Sequence, residues 1–158
     1  YVKRLGGENM PKTLELFQKM KYNDSERWRY VKLDYQRQNA LVKNPELALP
    51  NALSATADNR KFTEYLFGGT HERGLAKGAA FTSRLGYDID NYDKLKDEIL
   101  KKASKYPSVY KRKNAQGDLY EQKIILYGLK NKPANVVVGW IANHDTVKMT
   151  TSYIKELK

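Results

Sequence analysis

The chain contains no cysteine, so it can form neither a disulfide framework nor a thiolate-ligated metal site. Only two histidines occur, His71 and His144. They are too few for a histidine-built zinc site unless carboxylates complete it. No apolar run approaches the roughly 18 residues of a membrane span, and the N-terminus lacks a basic-then-apolar signal pattern. Glycine loops of the P-loop or dinucleotide type are missing, as is a Gly-x-Ser-x-Gly elbow. Asp88, Asp90 and Asp93 alternate loosely but lack the other ligands of a calcium loop. No metal, no cofactor and no membrane partner are therefore expected. The chain starts at Tyr1 without Met, as a piece excised from a longer protein would.

What is abundant is positive charge. Lys and Arg number 29 against 18 Asp and Glu, a formal charge of +11 over 158 residues. Of this, +4 falls in residues 1–50 and +7 in the remainder. The excess is spread along the chain and is not a single basic tail, a footprint that favours polyanionic partners. A hydrophobic content of 41% is enough to fill a core.

Residues 1–48 read as a helical adaptor segment. Pro11 sits near a helix start, with Leu14, Phe17 and Met20 as a short apolar stripe. The Tyr22-Asn23-Asp24 break can cap a second helix. That helix carries Trp28, Val31 and Tyr35 on one face and runs to about Val42. Two helices with one stripe each make no core by themselves, so they must dock elsewhere. Asn44-Pro45 and Pro50 mark the boundary of a second unit, residues 49–158.

That unit begins with helical patterns and ends with strands. A loop over Asn51–Asn59 leads to a short helix, Lys61–Phe67, closed by Gly68-Gly69. A helix over Leu75–Leu85 ends at Gly86. Another starts at Asp90 or Asn91, with Leu95 and Ile99 apolar and Lys101 and Lys102 near its C-terminal dipole end. Beyond Pro107 the period drops to two. Strands are predicted over Ser108–Arg112, Leu119–Leu129, Asn135–Ala142 and Val147–Tyr153, the third apolar on both faces and so central. Helices followed by a run of antiparallel strands predict an α+β fold, a four-stranded sheet with helices packed on one face.

The candidate chemistry gathers around Gly-Gly-Thr-His-Glu-Arg-Gly at 68–74. His71 precedes a helix N-terminus, where free N–H groups and the dipole favour an anion. An imidazole exchanges protons near neutral pH, while Arg73 and Lys77 can neutralise phosphate oxygens. These are the parts of metal-independent RNA cleavage: a base for the 2′-hydroxyl, cations for the developing charge, an acid for the leaving 5′-oxygen. A surface loop with scattered polar residues has the same spacing. On the last strand, period two puts Thr151 and Tyr153 on one face and Thr150 and Ser152 on the other. Such hydroxyls are also ordinary strand formers. Trp140 suits either the core or a stacking platform for a base. Arg73, Arg84 and Trp140 are the candidates for nucleic-acid binding. His144, in an Asn-His-Asp-Thr turn, is read as a turn residue.

Two resemblances add to this. Leu49-Pro-Asn, Phe62-Thr-Glu-Tyr-Leu-Phe, His71-x-x-Gly74-x-x-Lys77-x-x-x-Phe81-x-x-x-Leu85-Gly86-Tyr87, Trp140-Ile141 and Thr151-Ser152-Tyr153 together resemble a small C-terminal domain of bacterial polymorphic toxins. That domain is grouped with the barnase, EndoU, colicin and RelE-like ribonucleases. The resemblance covers about residues 49–158 and implies a ribonuclease-type effector with His71, Lys77, Thr151 and Tyr153 as catalytic positions. It also implies RNA as substrate, with tRNA one candidate, and a cognate immunity protein as partner. Where the family has Pro after its His, this chain has Glu72.

The second resemblance covers about residues 9–42. Met10-Pro11-Lys12-Thr13, Phe17-Gln18, Lys21-Tyr22-Asn23-Asp24, Trp28, Lys32 and Asp34-Tyr35 are similar to the C-terminal part of phage minor head (head-morphogenesis) proteins. This implies phage head or portal proteins as partners of the N-terminal segment, and a place in the bacterial cytoplasm or on the virion. A non-catalytic nucleic-acid- or capsid-binding module of such a head protein is the competing expectation. An ADP-ribosylating transferase is disfavoured, since its Arg, Ser-x-Ser and Glu-x-Glu series is not recognisable.

Overall fold

The computed structural model describes residues 25–157. The expected first helix with its Leu14, Phe17 and Met20 stripe, and the break at Tyr22-Asn23-Asp24, lie outside the described residues. So does the first part of the segment similar to head proteins, up to residue 24.

The described chain runs α1 (Ser25–Lys43), two short 3-10 turns, a π-type turn (Phe62–Leu66), α2 (Glu72–Leu85), α3 (Tyr92–Lys102) and four strands. These are β1 (Ser108–Asn114), β2 (Gly117–Leu126), β3 (Ala134–Ala142) and β4 (Val147–Ile154). The strands form one antiparallel sheet in the order β1-β2-β3-β4. The fold is α+β, as the change of period near Pro107 implies. β2 stops at Leu126, three residues before its predicted end, where Gly128 turns the chain at a φ of +65°.

One sheet face carries Ile124, Leu126, Val136, Val138 and Trp140 into a core shared with Phe81 and Leu85 of α2 and Leu95 and Ile99 of α3. Burying each such side chain contributes about 1.5–3 kcal/mol. β3 is central, and its Val136, Val137 and Val138 are all buried. α1 packs where β2 leaves the sheet and β3 enters. Its buried residues are Tyr30, Val31 and Asp34, so the docking face is shifted from the predicted Trp28, Val31 and Tyr35 stripe. Asp34 accepts from the phenols of both Tyr106 and Tyr127, and Arg37 donates to Asn135 Oδ1 at 2.7 Å. Asn135 alternates with Val136, so α1 also reaches the face opposite α2 and α3.

Two features of this frame position the site. Gly74 and Gly78 lie on one face of α2, four residues apart, and the π-type turn presses against them. A Cβ at Gly78 would lie 1.7 Å from the Leu66 carbonyl oxygen, and one at Gly74 would lie 2.7 Å from the Tyr65 ring. Only glycine permits that approach. On β4, the pairing shifts between Gly139 and Trp140: Trp140 faces Met149, whereas Gly139 faces Thr151. Thr150 is therefore the extra residue of a β-bulge. Met149 and Ser152, three apart, both turn into the core, and Thr150 is displaced from the face that strict alternation assigns it.

Candidate functional site

α2 begins at Glu72, so His71 is its N-cap. In this place His71 Nδ1 accepts from the Gly74 backbone N–H at 3.3 Å, satisfying one of the free donors at the helix start. A neutral imidazole that accepts through Nδ1 carries its proton on Nε2. The ring also lies against Tyr65, with centroids 4.9 Å apart.

Lys77, one and a half turns along α2, reaches across to the edge strand. Its ammonium donates to Tyr65 Oη at 3.2 Å and to Thr151 Oγ1 at 3.3 Å. It lies 5.2 Å from the centre of the Tyr153 ring, within range of a cation–π attraction. The 5.3 Å separation from the Tyr65 ring centre follows from the hydroxyl bond, which places the ammonium beyond the ring's rim, so Tyr153 supplies the π contact. Among the described residues, no carboxylate pairs with Lys77. A half-buried ammonium is thus held by two neutral oxygens and an aromatic ring, and its charge is left for an outside anion.

Beside this cluster opens a cleft of about 520 Å³, lined by Tyr65, Thr150, Thr151, Asp58, Arg60, Lys61 and Glu64. Asp58 and Arg60 form a close ion pair at its rim, Nη2 to Oδ2 2.8 Å. The Arg60 hydrogen bonds hold the Asp58 carboxyl well below the usual carboxylate range. Lys61 remains exposed on the same rim.

The structure brings His71 and Lys77 onto Tyr65, and Thr151 and Tyr153 onto Lys77. The nucleic-acid-binding candidates fare differently. Trp140 must be corrected: it is fully buried, its Nε1 donates to Gln122 Oε1 at 3.1 Å, and it offers no face to a base. Gln122 Nε2 in turn donates to the Ala103 and Tyr106 carbonyls at 2.8 and 2.9 Å, so the indole anchors a closed polar network inside the core. Arg84 lies apart from the cluster. Its guanidinium donates twice to the Pro133 carbonyl at 2.9 and 2.6 Å and covers the Tyr30 ring, fastening α2 to the β2–β3 connection and α1. Arg73 is exposed and shares a shallow depression with His71 and Glu72. His144 is exposed in the β3–β4 turn.

Sequence reasoning missed Tyr65, Thr150 and Lys61. Tyr65 sits in an aromatic stretch that reads as a core helix. The signal that could have singled it out is the Gly74 and Gly78 pair, which marks a close neighbour on that side of α2. Among the described residues, no group of three His, Cys, Asp or Glu is placed to hold a metal ion, and no helix is long and apolar enough to cross a membrane.

The described residues thus form a small α+β domain in which the Lys77 ammonium, paired with no described carboxylate, sits among hydroxyls at the edge of the sheet. Residues 48–156 match the family described as a domain of unknown function (DUF6883), and the chain belongs to that family. No curated protein and no solved structure matches it.

Proposed function

We propose that residues 49–158 form a metal-independent, RNA-cleaving effector domain, and that the cleft at the β4 edge takes the scissile phosphate. The observation that carries this reading is Lys77: a half-buried ammonium with only neutral partners among the described residues, two of which, Tyr65 and Thr151, line an open cleft. In this scheme Lys77 binds a phosphate oxygen, and the remaining N–H of its ammonium points the charge where it develops. Thr150, Thr151 and Tyr153 hold the phosphate and sugar oxygens. Lys61 and Arg73 attract flanking phosphates, in keeping with the +11 charge of the chain. His71 takes the 2′-hydroxyl proton through Nδ1, whose partner among the described residues, the Gly74 N–H, is held at a long 3.3 Å and is displaceable. RNA, with tRNA as one substrate class, is the ligand. A dedicated immunity protein would cover this cleft in the producing cell. The segment before residue 49 would then join the domain to a phage head-type protein.

A second reading is a nucleic-acid- or capsid-binding module without turnover. It is favoured by the same His71 contact, since a nitrogen used as a helix cap is not free to accept a substrate proton. Incubation of the chain with total RNA and purified tRNA, with and without chelator, separates the two. Cleavage that persists in chelator and is lost in Lys77→Ala supports the first. Binding that weakens steeply with salt, without any cleavage, supports the second.

A further inference from the structure

The cluster contains one proton whose destination is open. Lys77 donates to the Tyr65 oxygen, so that oxygen serves as acceptor and its own O–H is left to point elsewhere. Among the described residues no acceptor engages it, and Tyr65 lines the cleft. The ring is held rigidly: Gly74 abuts one side and the His71 imidazole another. Thr151 cannot do the same work, because an aliphatic hydroxyl is a much weaker acid than a phenol.

We infer that Tyr65 is the proton donor to the leaving group in the RNA-cleaving reaction proposed above, on which this assignment rests. The 2′-oxygen forms a bond to phosphorus while the bond from phosphorus to the 5′-oxygen breaks. The 2′-hydroxyl proton passes to the His71 imidazole, and the Tyr65 phenolic proton passes to the departing 5′-oxygen, which leaves as an alcohol. This creates a phenolate 3.2 Å or so from the Lys77 ammonium, and that ammonium stabilises it as the negative charge forms. Exchange with water then returns a proton to Tyr65 and removes one from His71. Lys77 accordingly has two tasks, one at the phosphate and one at the acid. His71, positioned against the same ring, is left with the opposite proton transfer.

The test compares two substrates that differ only in their need for an acid. Tyr65→Phe retains the ring that packs on Gly74 and His71, and circular dichroism checks that it folds. On RNA, kcat of Tyr65→Phe is expected to fall about 10²–10⁴-fold, with KM changed far less. On a mixture of nucleoside 3′-(para-nitrophenyl phosphates), the leaving phenolate needs no proton, so the variant should lose at least about tenfold less than on RNA, the remaining loss coming from the acceptor that the Lys77 ammonium no longer has. An equal loss on both substrates overturns the assignment and makes Tyr65 a positioning residue. Unchanged cleavage of RNA overturns it as well. If the wild type cuts neither substrate while still binding RNA, the cleavage reading itself fails, and the proton-donor role goes with it.

Discussion

Lys77 and Thr151, 74 positions apart in sequence, are joined by a hydrogen bond of 3.3 Å from Nζ to Oγ1. The contact exists because α2 lies along the edge of the sheet and because the bulge at Thr150 brings Thr151 opposite Gly139. Replacing Thr151 with Val keeps the strand's shape and removes the acceptor. The ammonium then keeps only the Tyr65 oxygen and the Tyr153 ring. RNA cleavage by Thr151→Val should fall about 10–100-fold, the scale of one misdirected charge-stabilising group. Stability in urea should change by less than about 1.5 kcal/mol, since the bond is a single half-exposed one. A variant that cleaves as the wild type does would separate Thr151 from the site.

His71 combines two tasks that substitution can separate. As N-cap it contributes about 1 kcal/mol, which Asn supplies equally well and Ala does not. As a proton carrier it has no substitute in either. His71→Asn is therefore expected to keep wild-type stability and lose RNA cleavage, whereas His71→Ala loses both. Thermal unfolding and a cleavage assay on the same preparations distinguish these. Cleavage retained in His71→Asn would assign the histidine to the cap alone.

The docking of α1 predicts a dependence on alkaline pH. Burial, with the nearby Asp34 carboxylate adding to it, raises the Tyr106 phenol far above its ordinary value, and the Tyr127 phenol rises for the same reasons. Both phenols therefore stay protonated in the folded chain where the unfolded chain begins to lose their protons, near pH 10. For a group whose folded pKa is raised, stability is complete below the unfolded value and declines as pH climbs past it. The slope is up to about 1.4 kcal/mol per pH unit for each tyrosine. Urea titrations between pH 9 and about pH 11 should show this loss, with the slope reduced in Tyr106→Phe. An identical slope in wild type and variant would contradict the buried Tyr106–Asp34 pairing as its source.

The fold was legible because its signals are local. The switch from a helical period to alternation near Pro107, the uninterrupted Val136-Val137-Val138 run and Gly86 beyond Leu85 each act within a few residues. Gly86 takes a φ of +86° and closes α2 as a C-cap. Where the reading failed, a polar residue did the packing. Asp34 carries the docking of α1, and no apolar stripe reveals a carboxylate whose phenol partners lie 72 and 93 residues away. Trp140 could be read both ways for the same reason, because its fate depends on Gln122, eighteen residues back on the neighbouring strand.

By itself, the amino-acid order determined the elements, their succession, the absence of thiol chemistry and the basic charge that favours a polyanion. It also pointed to His71 and Lys77 through their place at a helix start, while Thr151 and Tyr153 were singled out by the resemblance to the toxin domains. Only the tertiary structure decided that these four meet, that Tyr65 stands among them, and that Trp140 and Arg84 belong to the scaffold. The physical reason is that a helix or strand is specified by neighbouring residues, whereas a site is made by contacts between distant ones. The close approach at Gly74 and Gly78 and the one-residue bulge at Thr150 set those contacts, and both take effect only when the pieces pack.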